Sequence, residues 1–208
     1  LLIVTGNEIR VVATDGHRLA YANENLSKTL PRTEVILPRK TVLELSRLLE
    51  DNDEELDIRL SQNQAVFRFG DIELVSKLID GKFPDYERVI PQGHNKVITV
   101  PRTVLLQSLH RAAILTNEKF RGVRVVLAAG SLKIISSNSD QEEAQEELEV
   151  SYDAEALDIG FNVTYLLDVL NNVSNEEVEI RLADANSSAL ITLPGNDSFK
   201  YVVMPMRI

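Results

Sequence analysis

Three helix-forming segments recur along the chain at nearly constant spacing. They begin at Pro38, Pro101 and Asn162, which lie 63 and 61 residues apart. Proline is favoured in the first turn of a helix, and asparagine is favoured at the position that caps it. A period of about sixty residues with one helix in each unit restricts the chain to folds in which the same helix-and-strand unit is repeated.

Each of the first two segments predicts a helix with one buried stripe, because apolar residues recur at helical spacing. The predicted stripes consist of Val42, Leu45, Leu48 and Leu49 in the first segment and of Leu105, Leu109, Ala112 and Ala113 in the second. Short segments of alternating apolar and polar residues follow every helix, as is typical of antiparallel strands. The acidic stretch 141–150 has helical propensity, but its position in the repeat predicts a strand over its second half.

The repeat predicts two α+β domains, each built from two units and therefore from two helices packed on antiparallel sheets. The strands before Pro38 complete a unit whose helix we expect upstream of Leu1. Residues 80–96 contain two prolines, two glycines and little periodicity, which is typical of a linker. We therefore expect one domain over residues 1–86 and a second over residues 87–208.

The composition is that of a globular protein, since 44% of the 208 residues are hydrophobic and 26% are charged. No apolar run is long enough to cross a membrane, and no charged-then-apolar leader opens the chain. The chain starts at Leu1, inside an apolar run and without an initiator Met, so we expect it to be part of a longer protein.

Cysteine is absent, which excludes disulfides, thiolate zinc sites and cysteine nucleophiles and is compatible with a cytoplasmic location. His17, His94 and His110 are too far apart in sequence to form a ligand-spaced cluster, so we expect no metal and no cofactor. The acidic runs 50–57 and 140–149 lack the spacing of a calcium loop. The net charge of −10 argues against a protein that coats nucleic acid with a wholly basic surface, but it is compatible with a local basic face.

The segment Thr14-Asp15-Gly16-His17 has two interpretations. Asp-Gly between two alternating apolar runs predicts a hairpin turn, because glycine adopts positive φ without steric cost. An Asp15–His17 acid–base pair would instead make the protein a hydrolase, but the sequence offers no convincing nucleophile or metal to complete such a site. The turn is the favoured interpretation, and we expect no catalytic residues.

Two further segments have a structural and a functional interpretation. Arg39, Lys40 and Arg47 fall on the helix side away from the predicted stripe, where they form either an ordinary solvated face or a surface that meets phosphates. Both methionines of the chain, Met204 and Met206, lie near its end. Methionine provides adaptable binding surfaces, whereas a buried last strand would explain the valines just before them equally well.

Five motifs occur in the order found in one protein family. They are TDGHRLA (14–20), SKLIDGKFPDY (76–86), NEKFRGVR (117–124), GFNVTYLLDVL (160–170) and YVVMPMR (201–207). Together they make the whole chain resemble the bacterial sliding clamps, the beta subunits of DNA polymerase III. The resemblance implies α+β clamp domains in a head-to-tail homodimeric ring, without catalysis, that encircles duplex DNA and tethers polymerase III subunits, the clamp loader and repair proteins. It also implies that the first of three domains and the opening of the second are missing.

The resemblance further implies a pocket between the second and third domains that binds short extended peptides with a Gln and terminal apolar residues, here called clamp-motif peptides. Carried over position by position, its residues are Val12, Thr14, Gly16, His17, Arg18, Leu19, Pro84, Arg88, Val89, Asn162, Tyr165, Ser188, Val202, Val203, Met204, Pro205, Met206 and Arg207. Asn186 departs from the aliphatic residue that the family often has at that position.

The resemblance also places the helices on the inner side of the ring, so that Arg39, Lys40 and Arg47 would contact the DNA backbone without reading sequence. The edge that would meet the first domain of the next subunit comprises Ile114, Leu115 and Phe120. Without its own first domain, the chain is expected not to close a ring and to be monomeric or to pair in some manner other than the ring, whereas the full-length protein would be a dimer. A protein-interaction scaffold without a DNA role is the alternative interpretation.

Overall fold

The computed structural model describes residues 1–50, 52 and 54–208. Asp51 and Asp53 belong to the first acidic run, for which a calcium loop was considered, and they lie outside the described residues. The chain divides into two compact units. The first unit comprises residues 1–12 and 23–85, and the second comprises residues 13–22 and 86–208. The segment with the Asp-Gly turn therefore belongs to the second unit.

The described residues of the first unit contain one helix, a three-stranded antiparallel sheet and the larger parts of two further strands. Its elements are the larger parts of β1 (Leu2–Thr14) and β2 (Arg18–Val35), followed by α1 (Arg39–Leu48), β3 (Asp57–Leu60), β4 (Gln64–Phe69) and β5 (Ile72–Lys77). The sheet has the order β3-β4-β5, and its buried residues Ala65, Phe67 and Phe69 pack with Leu45 of α1. The alternation of buried and exposed residues along β4 is the pattern predicted for a strand with one covered face.

Helix α1 buries a different face from the one that its apolar residues predict. Thr41 and Leu45 are buried. The exposed members of the predicted stripe are Val42, Leu48 and Leu49. The Thr41 hydroxyl lies 2.6 Å from the hydroxyl of Ser76 on β5, so the polar group that faces the core is hydrogen-bonded. The predicted stripe is therefore wrong except at Leu45, because a paired threonine occupies a core-facing position of the helix.

The second unit contains two helices and two antiparallel sheets. After a 3₁₀ turn at Tyr86–Arg88, its elements are β6 (Lys96–Pro101), α2 (Arg102–Ile114), β7 (Gly122–Ala128), β8 (Ser131–Ser137), β9 (Glu143–Glu149), β10 (Leu157–Asn162), α3 (Val163–Asn171), β11 (Glu177–Leu182), β12 (Ala189–Leu193) and β13 (Asn196–Val203). One sheet has the order β10-β7-β8-β9 and the other β13-β12-β11-β6, with the start of β2 paired along β13.

Apolar residues of both helices and both sheets form one core in the second unit. Helix α2 contacts α3 and three strands, and its predicted stripe is confirmed because Leu105, Leu109, Ala112 and Ala113 are all buried. The acidic stretch forms strand β9, which confirms the prediction from the repeat over the propensity for helix. The predicted α+β fold is therefore confirmed. Among the described residues, no helix is both long and apolar enough to span a membrane.

Candidate functional site

The hairpin turn joins β1 to β2 through residues 14–18. Gly16 has a φ of +88°, which explains the glycine at this position. The Asp15 carboxylate accepts hydrogen bonds from the backbone N–H groups of His17 and Arg18, both at 3.0 Å. The Thr14 hydroxyl donates to the carbonyl oxygen of Arg18 at 2.7 Å. These local bonds confirm the predicted turn and commit Asp15 to holding its backbone.

Arg18 joins this turn to two more distant parts of the second unit. Its guanidinium donates to the Asp15 carboxylate at 3.1 Å, to the Asp168 carboxylate of α3 at 2.5 Å and to the Tyr201 hydroxyl of β13 at 3.1 Å. The same guanidinium lies over the ring of Tyr165, 4.3 Å from its centroid. We call these five residues the Arg18 cluster. It fixes the turn against both α3 and β13.

Hydrogen bonding and burial set the charges of the Arg18 cluster. Burial opposes the charge of Arg18, but its bonds to Asp168 and Tyr201 outweigh that effect and raise the pKa of the guanidinium. Burial also opposes ionisation of Asp15, yet the N–H groups of His17 and Arg18 and the Arg18 guanidinium lower the pKa of its carboxyl. Burial raises the pKa of the Tyr201 hydroxyl, although Arg18 acts in the opposite direction. At neutral pH, Arg18 is therefore a cation, Asp15 an anion and Tyr201 a neutral hydroxyl.

The C-terminal tail, residues 204–208, runs beside the turn. Strand β13 pairs Val202 with Leu19 and Val203 with Arg18, and the N–H of Met204 then donates to the carbonyl oxygen of His17 at 2.9 Å. The His17 ring stacks on Tyr165 with 6.5 Å between the ring centroids. Met204 is 48% exposed. The turn, the start of α3 and the tail thus present aromatic and thioether side chains on one surface.

Two more predicted site residues are held by their own hydrogen bonds. Asn162 caps α3, because its side-chain oxygen accepts from the N–H of Thr164 at 2.9 Å, which confirms the predicted cap. The carbonyl oxygen of Ser188 lies 2.7 Å from Nε2 of His94, which must therefore donate. Near Ser188, Asp184 accepts bonds from the Asn186 N–H and from a neighbouring serine. Polar contacts thus order the loop between β11 and β12 that contains Asn186.

The remaining predicted pocket residues differ in burial and in unit. Leu19, Val202 and Val203 are at most 2% exposed, so they support the surface from within. Arg88, Val89 and Arg207 are exposed parts of the second unit, and Pro205 and Met206 are half-buried. Val12, which is buried, and Pro84 belong to the first unit. Of the predicted set, the structure therefore brings together the residues of the turn, Tyr165 on α3 and the end of β13 with Met204.

The other predicted residues lie on two separate surfaces. Arg39, Lys40 and Arg47 are exposed on α1 of the first unit, and Arg47 donates to the Glu44 carboxylate at 3.2 Å. In the second unit, Ile114 is 77% and Phe120 56% exposed, while Leu115 is half-buried. Asn117 orders the loop between them, since its side-chain oxygen accepts from the N–H groups of Lys119 and Phe120.

Three residues that hold this site together were not predicted from the sequence as site residues. Asp168 and Tyr201 bind Arg18 from 150 and 183 residues away, and His94 binds Ser188 from 94 residues away. Asp168 lies three residues after Tyr165 on α3, so the helical spacing of an aromatic and an acidic residue was the available signal. The chain gave no comparable signal for His94.

Comparison with known proteins identifies the family. The model of the DNA polymerase III beta subunit central domain matches residues 1–85, and that of its C-terminal domain matches residues 87–207. The beta sliding clamp of Pseudomonas putida is 50% identical over 209 residues, which cover 100% of this chain and 57% of the relative. The chain thus spans little more than half the length of that relative.

Solved structures agree with this assignment. The DNA polymerase III subunit beta of Pseudomonas aeruginosa superimposes with a TM-score of 0.96 at 50% identity, over 100% of this chain and 57% of that one. A Pseudomonas aeruginosa sliding clamp bound to griselimycin has a TM-score of 0.95 at 50% identity, over 100% and 56%. Because two family domains match in order and together cover almost every residue, the chain belongs to the DNA polymerase III beta subunit family, the bacterial sliding clamps.

Proposed function

We propose that the chain forms the middle domain (1–86) and the C-terminal domain (87–208) of a replication processivity factor. In the complete protein, these domains are part of a homodimeric ring that encircles duplex DNA and tethers DNA polymerase III subunits, the clamp loader and other clamp-motif proteins. The two domain matches along the whole chain support this function over a scaffold without a DNA role. The activity is mechanical, so it uses no catalytic residue, metal or cofactor, and it takes place in the cytoplasm.

The proposed peptide site rests on one observation, the surface formed by the Arg18 cluster and the tail. The turn and tail are joined by the Met204-to-His17 hydrogen bond, and the stacked rings of His17 and Tyr165 lie beside them. Apolar residues of an extended peptide are bound by such a surface because aromatic and thioether groups adapt to aliphatic side chains. Arg18 already donates hydrogen bonds to Asp15, Asp168 and Tyr201. Its role is therefore to position the turn, and the apolar groups of the surface anchor the peptide.

The Pseudomonas aeruginosa clamp that binds griselimycin is 50% identical to this chain. We extend the binding of griselimycin to this chain and place it at the same surface as clamp-motif peptides. The compound is therefore a competitor for the peptide, which gives a test that needs neither DNA nor a complete ring.

The proposed DNA contacts lie on α1, where Arg39, Lys40 and Arg47 are exposed. Contacts of this kind neutralise phosphates and weaken with salt, and they carry no sequence information. A ring that slides needs this type of contact, because base-specific bonds would hold it at one position. The proposed contacts with the next subunit use Ile114, Leu115 and Phe120, of which two have large exposed apolar side chains.

The experiment is a fluorescence anisotropy titration of a labelled clamp-motif peptide. We expect saturable binding that griselimycin displaces and that weakens about tenfold in Met204→Ala combined with His17→Ala, as loss of anchor contacts does. Val75→Ala is the matched control, because Val75 is 51% exposed and belongs to the first unit. An affinity of the double variant equal to that of the control would exclude this surface as the peptide site.

A further inference from the structure

Two glycines in the second unit lie under the C-terminal tail. The N–H of Met206 donates to the carbonyl oxygen of Gly160 on β10 at 2.9 Å. Gly160 is the third-last residue of the edge strand β10, and Gly122 is the first residue of the neighbouring strand β7. Gly122 pairs with Asn162, which lies two residues after Gly160 on β10. Neither glycine has positive φ, so the backbone conformation does not explain why the side chain is missing at either position.

The close approach of the tail does explain it. A Cβ atom at Gly160 would lie closer than 3.0 Å to the carbonyl oxygen of Met206, and 2.8 and 2.9 Å from two side-chain carbons of Ile208. A Cβ atom at Gly122 would lie 3.2 and 3.3 Å from the same two carbons and 3.6 Å from the terminal methyl of Met206. Real Cβ atoms essentially never come within 3.0 Å of such neighbours, so an alanine at Gly160 forces the tail to move.

The first unit provides an internal comparison. Ile79 donates its N–H to the carbonyl oxygen of Ile36 at 2.9 Å, the same bond that Met206 makes to Gly160. Ile36 lies two residues before the N-cap of α1, and Gly160 lies two residues before the N-cap of α3. The hydrogen bond therefore tolerates a large side chain at this point of the repeat. Glycine at position 160 is required by what lies over it, namely the Met206 carbonyl and the Ile208 side chain.

We infer that Gly160 and Gly122 are positioning residues for the peptide site: they form a floor without side chains on which Ile208 rests, and this contact sets the place of Met206 and Met204. The inference rests on the proposed function, because the tail is the part of the site that would meet the peptide. Ile208 is 62% exposed as a residue, yet its side chain is the group that both glycines accommodate. Ile208 thus acts as an anchor for the tail.

The test uses the two methionines of the chain as reporters, since both lie in the tail. Protein labelled with ¹³C at the methionine methyls gives two signals, which a Met204→Leu variant assigns. We expect Gly160→Ala to shift the Met206 signal and to weaken binding of the labelled clamp-motif peptide about tenfold, with the thermal midpoint close to wild type. Gly81→Ala is the matched control, because Gly81 has ordinary φ and no atom within 4 Å of an added Cβ.

Gly122→Ala is the milder variant, because its added Cβ would press mainly on the Ile208 side chain and on no backbone atom. Since Ile208 is the inferred anchor, Ile208→Ala alone should shift the Met206 signal and weaken binding. Adding Gly122→Ala to Ile208→Ala should then change the affinity little further, whereas adding Gly160→Ala should weaken it again because the Met206 carbonyl still collides. A Met206 signal and an affinity that stay at wild-type values in Gly160→Ala would overturn the inference. If wild-type protein fails to bind the peptide, the proposed function fails, and the methyl shift in Gly160→Ala still decides whether the glycines place the tail.

Discussion

Replacing Arg18 with alanine removes the centre of the candidate site. Tyr201 is 7% exposed, and its hydroxyl would lose its donor inside the protein, which costs about 1–3 kcal/mol. The ion pairs with Asp15 and Asp168 involve carboxylates that are nearly half exposed, so each contributes only about 0.2–1 kcal/mol. The contact with the Tyr165 ring adds about 0.5–1 kcal/mol. Because neighbouring contacts are not additive, we expect Arg18→Ala to lower the free energy of unfolding by about 2–4 kcal/mol.

The assay is urea and thermal unfolding followed by circular dichroism, since the chain has no tryptophan. For a unit of this size the loss corresponds to a fall in the thermal midpoint of roughly 6–15 °C. Arg18→Lys keeps one charge but cannot reach three partners, so it should lose about half as much. Arg124→Ala is the control, because Arg124 pairs with Asp158 across β10 and β7 where both side chains are about half exposed. A loss of stability in Arg18→Ala no larger than that in Arg124→Ala would show that the bonds of Arg18 do not stabilise the second unit.

Three further predictions concern the turn and the first unit. Despite partial burial, hydrogen bonds lower the native pKa of Asp15, so its contribution to stability is complete above its unfolded pKa of about 3.9 and is lost as the pH falls through the native pKa. The difference in urea midpoint between wild type and Asp15→Asn should therefore be constant from about pH 6 to 8 and decrease as the pH falls below about 3.9. A difference unchanged at about pH 2 would contradict this origin. Gly16→Ala places a side chain at a φ of +88° and should cost about 1–2 kcal/mol in urea unfolding, whereas the ordinary-φ control Gly81→Ala should cost less. Thr41→Val breaks the buried hydroxyl pair with Ser76, whose hydroxyl still donates to the carbonyl oxygen of Lys77 at 3.0 Å, and should cost about 0.5–1.5 kcal/mol in urea unfolding. The same substitution should cost less in a Ser76→Ala background, which already lacks the pair, and an equal cost in both backgrounds would contradict the pairing.

The sequence predicted features that depend on local pattern. The stripe of α2, the Asn162 cap and the turn at Gly16 follow from spacing and from backbone conformation, which a few consecutive residues determine. Strand β9 needed one longer-range argument, the repeat, because its acidic residues favour a helix by themselves. In the first three features, local propensity and periodicity predict the same structure. In β9 they disagree with the position in the repeat, and the repeat gives the correct prediction.

Features that depend on pairing between distant residues were not predictable. The buried face of α1 includes Thr41, whose hydroxyl is paired with that of a serine 35 residues away, whereas hydrophobicity alone predicts that Val42, Leu48 and Leu49 are buried. The partners of Arg18 lie 150 and 183 residues away on different elements. Gly160 is unremarkable in sequence, because only the path of the tail above it gives the missing side chain a meaning. In each case, contacts with residues far away in sequence determine the role of a residue, and its immediate neighbours in sequence do not indicate that role.

The most direct measurement of the central claim is a crystal structure of this chain with a bound clamp-motif peptide. We expect the apolar residues of the peptide to contact His17, Tyr165 and the methionines of the tail, while Arg18 keeps its bonds to Asp168 and Tyr201. A peptide bound to a surface that does not include the turn and the tail would exclude the proposed peptide site.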